Sequence, residues 1–261
     1  MSRSCAYCDD PGRITKEHLW PASLHKRLQA ANGTRDSLFW LRRTNSEFAG
    51  EPTVKDVCQD CNNGFLSSLD TYICELFDRY FVRILQRGEA VRLEFDHHRL
   101  KRWLLKMCFN SARIHNAKDA FTYTPLLPYI RGEHDSLGRS VQLFAQLAYP
   151  GPIPPDHRSD PELADAPQMW EPTDHRVGHV LFRVGPNQKL MRAVHLRSYS
   201  FLLAFSDPAQ GRAAAIDFER VFLSTVPGVR PLPASRSAVD LVCDGTDAWS
   251  SFEASRSLTL A

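Results

Sequence analysis

No run of apolar residues in the chain approaches the roughly 18 that a membrane-spanning helix needs. The opening stretch MSRSCAYCDD has no apolar signal core. These two absences predict a cytoplasmic protein with no membrane partner. Strong charge of either sign is missing too. Lys and Arg number 32 against 30 Asp and Glu, a formal charge of +2. A histone-like tail is therefore excluded, and any nucleic acid must be met by a local patch. No internal repeat is visible. Seven cysteines in 261 residues do not make a disulfide scaffold, which is mainly a device of small secreted domains.

What is present is ordinary for a globular chain, with 43% apolar and 24% charged residues. The length suits one large domain or two modest ones. The pattern predicts an α+β protein in three parts. Residues 1–66 are turn-rich and hold two Cys-x-x-Cys pairs. Residues 67–118 are helical. Leu69, Tyr72, Ile73, Leu76, Phe77, Tyr80, Phe81, Ile84 and Leu85 recur at helical spacing. Ser67 is the expected N-cap, Asp70 the first-turn acid and Gly88 the stop. A second helix is expected after Asp96, with Leu100, Trp103, Leu104, Met107 and Cys108 inside. Arg99, Lys101, Arg102, Lys106 and Arg113 then form either a solvated face or a phosphate track. Residues 119–261 are expected to be β-rich. VQLFAQLAY, HVLFRVG, LMRAVHL, YSFLLAFS and AVDLVC read as strands, and 150–172 as an exposed loop.

The cysteines divide by context. Cys74, Cys108 and Cys243 lie singly in apolar segments and read as small core residues. Cys5 and Cys8, with Cys58 and Cys61, form two pairs that meet only if the chain folds back. Four thiolates predict a tetrahedral structural zinc site stapling the N-terminal quarter. The rival is a redox dithiol, which normally takes one pair beside a strand–helix unit. Zinc with four sulfurs has no open position. Chemistry must therefore come from elsewhere, and Glu17-His18 in ITKEHLWP stands at an expected strand end.

Together, CAYC, KEHLWP and VCQDCNNGF resemble the HNH endonucleases, enzymes with a ββα-metal fold. The resemblance covers residues 5 to about 65 and continues weakly through LKRWLLKM to about 116. It implies a metal-dependent endonuclease hydrolysing phosphodiester bonds in DNA, with RNA as the alternative substrate. His18 matches the general base. Asn62 matches a catalytic-metal ligand, with Asn63 in its place if the register slips by one. Their hard oxygens suit magnesium or manganese, although Asn-Asn-Gly is also ordinary turn chemistry. Glu17 matches a second ligand, or else pairs with Arg13 or Lys16. Where the family has its middle Asn, which orients the catalytic His, this chain has Thr53.

Between Arg13 and Arg43 lie Arg13, Lys16, Lys26, Arg27, Arg35, Arg42 and Arg43, interleaved with Trp20, Phe39 and Trp40. Basic and aromatic residues together suit phosphate contacts with base stacking, or equally a surface loop with packing aromatics. A second reading is a nucleic-acid-binding zinc knuckle whose catalytic pocket has decayed. The C-terminal part is expected to select substrate or a protein partner.

Overall fold

The computed structural model describes residues 4–33, 38–41, 46–49, 51–159, 168–184, 187–206 and 211–259. It is α+β throughout, and no helix among these residues is long and apolar enough to cross a membrane. The chain forms two compact units, residues 1–82 with 95–138 and residues 83–94 with 139–261. The boundary expected after residue 118 thus falls after 138. The helical segment belongs with the cysteine pairs, and a short stretch inside it joins the second unit.

In the first unit, β1 (Ile14–His18) leads to α1 (Ala22–Asn32) and a small hairpin of β2 (Leu38–Leu41) and β3 (Ser46–Ala49). The chain then returns along β4 (Thr53–Cys58), which pairs antiparallel with β1 and sets His18 opposite Thr53. The two strands are not a tight hairpin, because residues 19–52 intervene. A helical run kinked at the non-helical Gly64 follows at once: α2 (Gln59–Cys61), a wide turn over Asn62–Leu66, then α3 (Ser67–Leu76) and a second wide turn to Phe81. Its cap is Cys58, whose sulfur accepts from the Cys61 amide. Ser67 is therefore interior to the run and not its cap, and the helix stops short of Gly88. Cysteine is an uncommon cap, which hid this start from sequence reasoning.

Helix α4 (His97–Ile114) begins where expected, with Asp96 accepting from the His98 and Arg99 amides at 2.9 and 3.0 Å. It packs on α3 and on α5 (Leu127–Arg131). Burial extends almost around its middle, from Leu100 to Ala112 apart from Arg102. Lys101 and Lys106 are only 4% and 0% exposed, so neither the solvated face nor the phosphate track describes them. Burial drives the Lys101 pKa down to about 8.

The sign of the Lys101 effect on stability follows. Above pH 10.5 the amine is neutral folded and unfolded and costs nothing. Between there and about 8 only the unfolded chain is protonated, so stability falls as pH falls, and below 8 the full cost remains. Lys101→Met should therefore stabilise the first unit at pH 7, by up to about 3 kcal/mol, with the gain vanishing near pH 10.5. Urea denaturation at both pH values measures it.

The second unit is built on a sheet ordered β12 (Arg230–Pro231), β6 (Val141–Tyr149), β11 (Tyr199–Phe205), β10 (Asn187–Leu196) and β9 (His175–Val184), while β7 (Gly151–Pro152) and β8 (Met169–Trp170) pair with each other. Its long strands are β6, β9, β10 and β11. These match the runs read as strands. Helix α6 (Gly211–Thr225) lays Phe218 and Phe222 against Phe144 and Phe182. Short β12 (Arg230–Pro231) edges the sheet, and β13 (Ala238–Val242) pairs instead with β5 (Ala90–Glu94). That pairing is why residues 83–94 leave the first unit.

Candidate functional site

The two Cys-x-x-Cys pairs meet in the first unit. Their four sulfurs all lie within 4.8 Å of one another, with Cys8 Sγ 3.7 Å from Cys58 Sγ. The knuckles are built from backbone. The Tyr7 amide points at Cys5 Sγ at 3.5 Å and the Cys61 amide at Cys58 Sγ at 3.4 Å. The Cys58 amide crosses between the pairs to Cys5 Sγ at 3.2 Å. Burial pushes the Cys5 thiol up, but these backbone donors outweigh it and lower its pKa to about 7. Burial and the neighbouring thiols push Cys8 up to about 11 and Cys61 higher still. Four thiolates at this spacing repel, so together they require a cation between them. All seven cysteines are free thiols. Among the described residues this is the one cluster of three or more His, Cys, Asp or Glu side chains gathered closely enough to hold a metal ion. A four-thiolate set suits zinc.

Strand β1 carries the acid–His pair on opposite faces, as strand alternation requires. Lys16 is exposed, Glu17 buried and His18 half-buried, so Lys16 and His18 share the outer face. The His18 Nδ1 atom is itself buried and stands 2.5 Å from Glu51 Oε2, a close charge contact that is not aligned as a hydrogen bond. The side chain as a whole is 42% exposed, so the part open to solvent is the rest of the ring, which carries Nε2. His25, on α1, reaches the other Glu51 oxygen at 3.7 Å. Glu51 lies two residues before Thr53, where the family's orienting Asn was sought. Sequence reasoning missed it because the contact depends on the pairing of β4 with β1.

Glu17 turns inward. Its Oε1 lies 2.9 Å from Lys106 Nζ and 3.1 Å from Asn110 Nδ2. The same ammonium reaches both Asp70 oxygens, at 2.6 and 2.7 Å. Trp103 Nε1 donates to Asp70 at 3.1 Å. Burial alone would lower the Lys106 pKa, but the Asp70 and Glu17 carboxylates outweigh it and hold the ammonium above its ordinary range. The expected partners of Glu17, Arg13 and Lys16, are replaced by a lysine 89 residues on. Asp70 is likewise no mere first-turn charge. The signal was available on α4. Lys106 and Asn110 fall three and seven residues after Trp103, on the face the helix turns to the core.

Asn62 donates its amide to Thr15 Oγ1 at 2.9 Å and to the Lys16 carbonyl at 3.0 Å. It therefore ties the start of the helical run to β1, while Asn63 is exposed. Both lie in the segment Asn62–Leu66, where the non-helical Gly64 kinks the chain between two helices, so Asn-Asn-Gly does mark a break here.

No family model, curated protein or solved structure matches the chain.

The basic and aromatic stretch is only partly a surface. Arg13, Lys16 and Lys26 are exposed. Arg27 grips Asp78 at 2.8 and 2.9 Å, so a phosphate would have to compete for it. Trp20 is 1% exposed and packs on Trp103 with ring centroids 6.2 Å apart. It is a core residue and no base-stacking platform. Arg35, Arg42 and Arg43 lie outside the described residues, as do the side chains of Phe39 and Trp40.

Proposed function

We propose that the first unit is a zinc-stapled phosphodiesterase of the HNH class acting on DNA, with His18 as general base. The observation behind this reading is the contact between His18 Nδ1 and Glu51 at 2.5 Å on a histidine whose side chain is still 42% exposed. A carboxylate on one imidazole nitrogen fixes the ring and stabilises the imidazolium that forms when the other takes a proton. Water then loses its proton to His18, its oxygen bonds to phosphorus, and the bond to the 3′ oxygen breaks, that oxygen taking a proton from solvent to leave as the alcohol. Lys16, on the same face of β1, meets the phosphate charge, with Arg13 and Lys26 as further backbone contacts. Zinc at Cys5, Cys8, Cys58 and Cys61 is structural and takes no part.

The resemblance also implies magnesium or manganese on the phosphate. Glu17 as placed does not fit such an ion, because the Lys106 ammonium already fills the cation position beside it. Asn62 donates to Thr15 and Lys16 through its amide nitrogen, so these bonds do not occupy the oxygen that would hold an ion. The occupied Glu17 favours, as a second reading, a zinc-knuckle module that binds nucleic acid without cutting it. On either reading, selection of substrate or of a protein partner falls to the second unit.

Plasmid nicking separates the readings. His18→Ala should lose roughly 10²–10⁴-fold in rate while keeping its zinc and its DNA affinity. A variant that nicks at the wild-type rate would remove His18 from the chemistry. If nicking requires added magnesium or manganese, Glu17 must exchange Lys106 for the ion. If the wild type does not nick but binds with a salt-dependent affinity, the binding module is the better reading. The same assays with RNA test the substrate class.

A further inference from the structure

Asn110 is 0% exposed, and its amide is fully used. Nδ2 donates to Glu17 Oε1 at 3.1 Å and to the His18 carbonyl at 3.3 Å. Oδ1 accepts from the Tyr7 hydroxyl at 2.7 Å and from Arg113 Nη2 at 2.5 Å. A side-chain amide has two N–H donors and an oxygen with two lone pairs, and all four are engaged. The four partners come from three parts of the unit, the cysteine knuckle, α4 itself and the end of β1. Tyr7 sits between Cys5 and Cys8, in the knuckle. Arg113 holds Asp56, on β4, at 2.5 Å. Glu17 and His18 end β1.

The residue type follows from this geometry. Asp would offer no donor to His18 and would set a second charge against Glu17. An apolar residue would take one hydrogen bond from each of four polar groups. At the last residue of a strand, the carbonyl direction also fixes the direction in which the side chain leaves. The His18 ring is thus held at two points, by Glu51 at Nδ1 and by Asn110 through the backbone.

We propose that Asn110 is a positioning residue for His18, its amide anchored by Tyr7 of the cysteine knuckle and by Arg113 so that the end of β1 is held in place. It does from α4 what the resemblance assigns to an Asn where Thr53 stands. The inference rests on the reading of His18 as the base.

The test uses the 261-residue chain and Asn110→Asp, which keeps the acceptor for Tyr7 and Arg113 and removes the donors to His18 and Glu17. Plasmid nicking is measured in wild-type and His18→Ala backgrounds, together with zinc content and the ¹³C resonance of the His18 ring in histidine-labelled protein. In the wild-type background kcat should fall about 10- to 100-fold, with KM and zinc unchanged and the His18 resonance moved. In the His18→Ala background the same change should cost nothing further. Equal losses in both backgrounds would overturn the proposal, since Asn110 would then act on the fold at large. An unchanged kcat with an unmoved resonance overturns it as well. If Asn110→Asp fails to retain zinc, Asn110→Gln, which shifts the same amide by one methylene, answers the same question. If the wild type does not nick DNA, the nuclease reading fails by itself. The His18 resonance then decides the positioning, a shift supporting it and an unmoved line overturning it.

Discussion

Cys58→Ser should leave the chain without zinc and with the N-terminal part of the first unit unfolded, while the second unit melts as before. Cys58 is the cysteine on which most depends. Its sulfur caps the helical run, its amide donates to Cys5, and it ends β4. Structural zinc in small modules contributes about 10–16 kcal/mol of apparent binding free energy at pH 7, more than most whole domains have in net stability. The loss should be confined in space. Leu69, Ile73, Phe77, Leu100, Trp103 and Leu104 form an apolar interior between α3 and α4 that does not involve the thiols. Amide exchange should therefore become fast through residues 4–18 and 51–66 and rise less in α4. Elemental analysis reads the zinc, expected at one per chain in the wild type and none in the variant. An unchanged melting curve in zinc-free Cys58→Ser protein would refute the staple.

Lys106→Met should destabilise the first unit by about 3–5 kcal/mol, the usual cost of removing one partner from a buried ion pair. Methionine nearly matches the volume of the lysine stem, so cavity formation contributes little. What remains is the pair Glu17 and Asp70 facing each other with no cation. Burial already pushes the Asp70 carboxyl above its ordinary range, and Lys106 is the main force pulling it back. With Lys106 gone that restraint is lost. An acid whose folded pKa lies above its unfolded value favours the folded state more as pH falls through the folded value. The deficit should be largest near pH 7 and shrink as pH approaches the carboxylate range. Chemical denaturation of wild type and variant from pH 7 to pH 5 measures the gap. A gap that is constant across that range would show that the carboxylates are not left charged in the variant. The triple variant Lys106→Met, Glu17→Gln, Asp70→Asn should recover much of the loss, because it removes the buried charges as well.

Several features could be read from sequence because they depend on local pattern. The strands of the second unit follow from apolar runs bounded by Pro and Gly, and Val141–Tyr149 coincides with one such run. Helix α4 is announced by Asp96, an acceptor immediately before a helical period. The meeting of Cys5, Cys8, Cys58 and Cys61 is implied by pair spacing, since a tight knuckle aims two sulfurs at one point wherever it occurs.

The rest was decided by tertiary structure. Charge alone places Lys101 and Lys106 outside, and the alternation of β1 cannot say what its inner face meets. Glu17 and Lys106 lie 89 residues apart, and Glu51 and His18 are joined only by strand pairing. The Lys106 ammonium is held above its ordinary range because two carboxylates converge on it, and that convergence belongs to three elements at once. Composition and spacing by themselves determined an α+β chain with a four-thiol metal site and an acid–His pair beside it. Only packing decided that the acid of that pair faces the core, and that the histidine is held by a glutamate outside the motif. Partners distant in sequence leave no periodic trace, and the free energy that orders them is gained only when the elements dock.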